Sequence, residues 1–103
     1  MTLHVYQVTS RFPKEELYGL TSQLRRSVLS IPSNIAEGCG RNGDKEFARF
    51  LQIAMGSASE AQYQLLLSRD LDYLNTTEYQ QLEQAITEVK RMLASFLKTL
   101  RSS

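Results

Sequence analysis

The sequence runs to 103 residues, of which 42% are hydrophobic and 22% charged, with a formal net charge of only +1. That length suits one domain rather than two, the composition excludes wholesale disorder, and the charge balance supplies no bulk argument for nucleic acid. A core this small is marginal alone, so association between copies is an expectation from the outset.

Cys39 is the only cysteine, which rules out an intramolecular disulfide. The opening stretch MTLHVYQVTSRFP lacks the basic and apolar regions of a signal peptide. No run approaches the ~18 apolar residues that a membrane span needs. A cytoplasmic protein with no membrane association is expected.

The first segment, Thr2 to Thr9, is at most two helical turns and ends at Ser10-Arg11-Phe12-Pro13. Pro13 is expected to open the next helix, with Glu15 and Glu16 at its positive end. Segment two places Leu17, Leu20, Leu24, Val28, Ile31, Ile35 and Gly38 at steps of three and four. That spacing predicts one apolar face on a helix about 40 Å long.

Segment three starts near Asp44 and repeats the pattern with Phe47, Phe50, Ala54, Ala58, Ala61 and Leu65. Its middle, AMGSASEA, is made of small residues and predicts a close helix crossing. Segment four carries Tyr79, Leu82, Ile86, Val89, Leu93, Phe96 and Leu100 in a heptad pattern, with Thr76 or Thr77 as its cap. No alternating run competes for strand. The expected fold is all-α, a single antiparallel four-helix bundle over residues 1–103 with an up-down-up-down course and a shortened first helix.

Residues 30 to 41, SIPSNIAEGCGR, carry the unusual chemistry. Gln23, Ser27, Ser30, Asn34, Glu37 and Arg41 form a polar stripe beside the apolar one. Small hydrogen-bonding groups suit a half-buried face meeting another helix or a subunit. Pro32 inside the helix frees a carbonyl, and Asn34 and the serines stand near enough to satisfy such groups.

Glu37 as an acid or base lacks a partner carboxylate on its side of the turn, so a structural role is expected. Cys39 as a nucleophile would need His4, the only histidine, which stands in the short first segment. Neither residue builds a metal site, and nothing asks for a cofactor. Gly38, Gly40 and Gly43 with Arg41 and Lys45 imitate a phosphate-binding loop, yet they follow a helix rather than a strand. Gly38 and Gly40 are expected to end the helix in left-handed conformations. No catalytic residue emerges.

FPKEELYGLTSQLRRSVLSIPSNIAEGCGR followed by KEFARFLQIAMGSASEAQYQLLLSRDLDYL resembles the small four-helix-bundle proteins encoded in intervening sequences of bacterial 23S rRNA genes. The accessory variability determinant (Avd) proteins of diversity-generating retroelements belong to the same group. The resemblance runs from about Thr9 to Leu74 and rests on three blocks in order: FPxEExYGLxxQ, RRSxxSIPSNIAEG, and Gly56, Ser57 and Glu60 of GSxxE.

It implies a barrel-like homopentamer without catalysis of its own, acting on structured RNA or with a reverse transcriptase. A five-fold ring needs two different patches per subunit, for which the polar stripe and the heptad face of segment four are candidates. Three features depart from the family. The first helix is shorter, through an internal start or a lost portion, which would leave apolar surface on segments two and four less covered. The charge is near neutral rather than strongly basic. Asp72 stands where a helix-ending glycine is usual.

Antiparallel pairing of segments two and three predicts Arg25 and Arg26 near Glu60, with one arginine held in an internal ion pair. Arg41, Lys45 and Arg49 form one basic edge, diluted by Asp44 and Glu46. Lys90, Arg91, Lys98 and Arg101 form a second. These are the candidate phosphate contacts, while solvated helix faces and intersubunit ion pairs are the alternative reading. A scaffold that binds protein and not nucleic acid is the second functional reading.

Overall fold

The steps of three and four fold back on one another as antiparallel helices. The computed structural model describes residues 1–102. Among these residues there are four α-helices and no strand: α1 Thr2–Thr9, α2 Leu20–Cys39, α3 Asp44–Asp70 and α4 Thr76–Ser102, with a 3-10 turn at Lys14–Glu16. The body is elongated, 46 × 23 × 17 Å. Helix α3 packs on both α2 and α4; α1 lies diagonally across from it, touching α2 and α4. Helices α2 and α4 make no direct backbone approach to each other.

Helix α2 begins later than expected. Pro13 opens the 3-10 turn instead, and Gly19 at φ −112°, ψ −113° takes the chain out of helical geometry before Leu20. The helix therefore has 20 residues and spans ~30 Å rather than about 40 Å. Leu17 falls outside it and stays exposed. Leu24 and Val28 are fully buried and Ile31 nearly so.

Gly38 does not end α2. It sits inside the helix because a Cβ there would lie 2.9 Å from both Phe47 Cδ1 and Phe50 Cβ. Gly40 is right-handed at φ −84°. The left-handed glycine is Gly43, at φ +93°, immediately before α3. Pro32 is accommodated without breaking α2; nearby, Ser33 Oγ donates to the Leu29 carbonyl and Asn34 Nδ2 to the Ser30 carbonyl, each at 2.8 Å.

In α3 the close approach is made by Ala54, Ala58 and Ala61, all wholly buried. Gly56 faces away, with no heavy atom within 4 Å of a Cβ built on it. The helix ends in a Schellman pair: Tyr73 N–H donates to Ser68 O and Asp72 N–H to Arg69 O, both at 2.9 Å. Asp72 takes the left-handed position at φ 62°, the one non-glycine among the described residues with positive φ.

The cap of α4 is Asn75, not Thr76 or Thr77. Its Oδ1 accepts from Glu78 N–H at 2.8 Å, and Glu78 Oε1 accepts from Asn75 N–H at 3.2 Å, a reciprocal capping box. The buried face of α4 is also rotated from the heptad reading. Leu82, Ile86, Leu93 and Leu97 form it, while Phe96 is 46% exposed.

Candidate nucleic-acid interface

The polar stripe of α2 lies mostly along its junction with α3. Ser27 is buried and donates to Glu60 Oε1 at 2.8 Å. Ser30 and Ser57 share a hydroxyl hydrogen bond at 2.8 Å, and Asn34 Nδ2 also reaches Ser30 Oγ at 2.9 Å. Gln23 stays exposed at the edge of this junction, and Glu37 turns back to Arg41 at 2.6 Å on the surface. Six members of this region, Gln23, Arg26, Ser27, Ser30, Ser57 and Glu60, line one shallow polar groove.

The expected ion pair between Glu60 and Arg25 or Arg26 is absent. Glu60 Oε1 is taken by Ser27 and by Gln64 Nε2 at 3.2 Å. Arg25 turns the other way, donating from Nε to Thr9 Oγ1 at 2.8 Å and lying 4.8 Å from the Tyr6 ring centre. Helix α1 supplies both partners, so its packing decides where Arg25 points. Arg26 has no ion-pair partner among the described residues.

Arg41 and Arg49, from opposite sides of the turn, converge on the Phe50 ring at 5.3 and 4.6 Å. Phe50 is the member of this site that the sequence reading missed: its spacing marks it as core, and nothing local signals a platform for two guanidinium groups. Glu46 lies among these cations. Its carboxyl is held below its ordinary value, first by the hydrogen bond from Arg49 and further by the charges of Arg49, Arg41 and Lys45. Arg49 Nε donates to Glu46 Oε1 at 3.2 Å.

The two basic edges meet only in part. Lys45, Arg49 and Arg101 line one groove between the first turns of α3 and the last turns of α4, a hollow of about 520 Å³ with Asp44, Glu46, Gln52 and Leu100. The start of α3 adds its positive dipole end there. The rest of the second edge disperses around α4. Lys90 Nζ donates to Gln62 Oε1 at 2.9 Å across the α3–α4 junction, Arg91 pairs with Glu88 at 2.6 Å, and Lys98 stands exposed. Among the described residues no group of three or more His, Cys, Asp or Glu side chains gathers as a metal set. No helix among the described residues is long and apolar enough to cross a membrane. Cys39 is exposed at the end of α2.

The fold has a close counterpart among solved structures. A crystal structure of a protein of unknown function from the S23 ribosomal protein family of Bacteroides thetaiotaomicron superposes with a TM-score of 0.87 at 24% identity, covering 94% of this chain and 91% of that one. At that identity the likeness speaks for the fold. No curated protein matches the chain. The profile of the 23S rRNA-intervening sequence protein family matches residues 1–95, nearly the full length. With that coverage, and with four helices in the expected order, the chain belongs to the 23S rRNA-intervening sequence protein family.

Proposed function

We propose that this protein is a non-enzymatic accessory factor that binds structured RNA as a homo-oligomer, gripping phosphates through the groove between the start of α3 and the end of α4. The observation that carries this reading is the convergence of Lys45 and Arg49 of α3 with Arg101, remote from them in sequence, on one groove. Lys45 and Arg101 have no ion-pair partner among the described residues, so their charges are available to an anion. Binding of this kind follows charge rather than base sequence. The homopentamer implied by the family resemblance belongs to the same reading, since repeating a weak groove five-fold multiplies avidity. A reverse transcriptase is the protein partner that the resemblance adds.

The test is anisotropy of a labelled RNA hairpin titrated with salt, comparing wild type with the Lys45→Gln, Arg101→Gln double variant. The expected result is weaker binding and a salt slope shallower by ~1 for each phosphate that is no longer neutralised. An unchanged affinity and slope would remove the groove from the reading. Sedimentation of the same samples reports the number of subunits.

A second reading, a protein-binding scaffold, is favoured by a different observation: Met92 and Phe96 of α4 stand 60% and 46% exposed beside each other on one apolar stripe.

A further inference from the structure

On the α3–α4 face, Glu83 of α4 lines a groove of about 380 Å³ together with Gln62, Tyr63, Leu66 and Tyr79. Its Oε1 accepts from Gln62 Nε2 at 3.0 Å and from Thr87 Oγ1 at 3.1 Å, whereas Oε2 is buried with no hydrogen-bond partner. Lys90 donates to Gln62 Oε1 rather than to this carboxylate. A buried carboxylate oxygen calls for a donor, and a cationic one serves it best. Tyr63, 63% exposed, offers an open ring on the same groove, while the Tyr79 ring already carries Arg69 at 4.6 Å.

Arg26 is the complementary group. It stands exposed on the α2–α3 face without an ion-pair partner among the described residues. Ser27 bonds Glu60 and Ser30 bonds Ser57, which sets Arg26 level with Ala61 of α3. Glu83 is level with Gln62. Arg26 and Glu83 therefore stand at one height of the bundle, on adjacent outer faces that share α3. Helix α1 lies diagonally across from α3 and borders neither face. Among the described residues, the other lysines and arginines without an ion pair or hydrogen bond stand toward the ends of the bundle. Lys14 lies in the 3-10 turn, Lys45 in the first turn of α3, and Lys98 and Arg101 in the last turns of α4.

We infer that Arg26 of one copy enters the α3–α4 groove of the next and completes Glu83, its guanidinium on the free Oε2 and against the Tyr63 ring. The inference rests on the homo-oligomer of the proposed function and names its subunit interface. Rotation about an axis along the bundle carries a copy round without lifting it. The two halves of a ring contact must then lie at one height, as Arg26 and Glu83 do. Faces of a four-helix bundle that share one helix meet at roughly a right angle, which closes a ring of about four or five copies. Opposite faces would give an open row instead. The α2–α3 face has room for the neighbour, since a groove of about 400 Å³ walled by Gln23, Ser30 and Ser57 can take the Tyr63 ring. The phosphate groove lies ~20 Å along α3 from this level, so a ring gathers Lys45 and Arg101 of every copy at one rim.

The test is sedimentation velocity of the full chain over a range of protein concentrations. The wild type is expected to associate. Arg26→Glu and Glu83→Arg should each weaken association about ten-fold or more, and the double variant that exchanges the two charges should recover most of the loss. Tyr63→Ala should weaken it several-fold. Lys98→Glu, the same change of charge elsewhere on the surface, should leave it unaltered. Circular dichroism checks that each variant keeps its helices. If Glu83→Arg does not, Arg26→Glu and Tyr63→Ala, both at exposed positions, decide the outcome. An associating wild type whose folded single variants associate equally well overturns the inference and leaves the homo-oligomer standing. An exchange variant no better than either single one does the same. A wild type that stays monomeric overturns both. Weaker RNA binding by the Lys45 and Arg101 variant bears on the phosphate groove alone.

Discussion

Ser27 and Glu60 join α2 to α3 through a 2.8 Å hydrogen bond between side chains 33 positions apart. The same carboxylate oxygen accepts from Gln64, which is buried and has its own Oε1 unpaired. Glu60→Ala therefore strands the Gln64 amide in a half-buried junction and removes the interhelical bond of Ser27, whose hydroxyl keeps the Gln23 carbonyl at 2.9 Å. A loss of ~1–2 kcal/mol is expected in urea unfolding, with most of it recovered by Glu60→Gln. If Glu60→Ala unfolded at the wild-type urea midpoint, the junction would owe nothing to this bond.

The glycines separate by what surrounds them. Gly38→Ala drives a methyl to 2.9 Å from Phe47 and Phe50, and its overpacking outweighs the ~1 kcal/mol of helix propensity gained. Net destabilisation of ~1–2 kcal/mol is expected. Gly56→Ala meets nothing within 4 Å in a helix interior and should stabilise by ~0.5–1 kcal/mol. The check is the thermal midpoint of the two variants, which should move in opposite directions.

Asp72 holds the left-handed position that closes α3. An L-residue adopts that conformation at a cost that glycine avoids. Asp72→Gly is expected to raise stability by ~1 kcal/mol, measured by chemical denaturation, while Asp72→Val lowers it.

Glu78 has its carboxyl held below its ordinary value, chiefly by the hydrogen bond from Arg11, with the backbone bond at Asn75 assisting. A depressed carboxylate contributes stability above the unfolded value and loses it as pH falls through the folded one. Arg11→Ala should therefore cost at most ~0.5 kcal/mol near neutrality, since Arg11 is largely exposed, and the difference from wild type should vanish as the pH falls through the lowered value of Glu78. Urea midpoints across that range measure it. A difference that stays constant on acidification would show that the pair is not the cause.

Helix class and most of the core were legible in the sequence because they depend on periodicity alone. Leu24, Val28, Ile31, Ala54, Ala58 and Leu65 are buried where their spacing predicts. The three ordered blocks around SIPSNIAEG also pointed to the family before any fold was known. Side-chain destinations were not legible in the same way. Arg25 had two possible directions on one helix, and only the packing of α1 sent it to Thr9 rather than Glu60. Leu97 and Phe96 are neighbours with similar claims to the core, and the rotation of α4 against α3 buried Leu97. Gly38 and Gly56 look alike as letters; one lies under two phenylalanine rings and the other has open space around it. The groove shared by Lys45, Arg49 and Arg101 arises only when separate helices are laid side by side. Periodicity is a property of one helix, whereas a surface is a property of several, and only tertiary packing sets their relative rotation and reach.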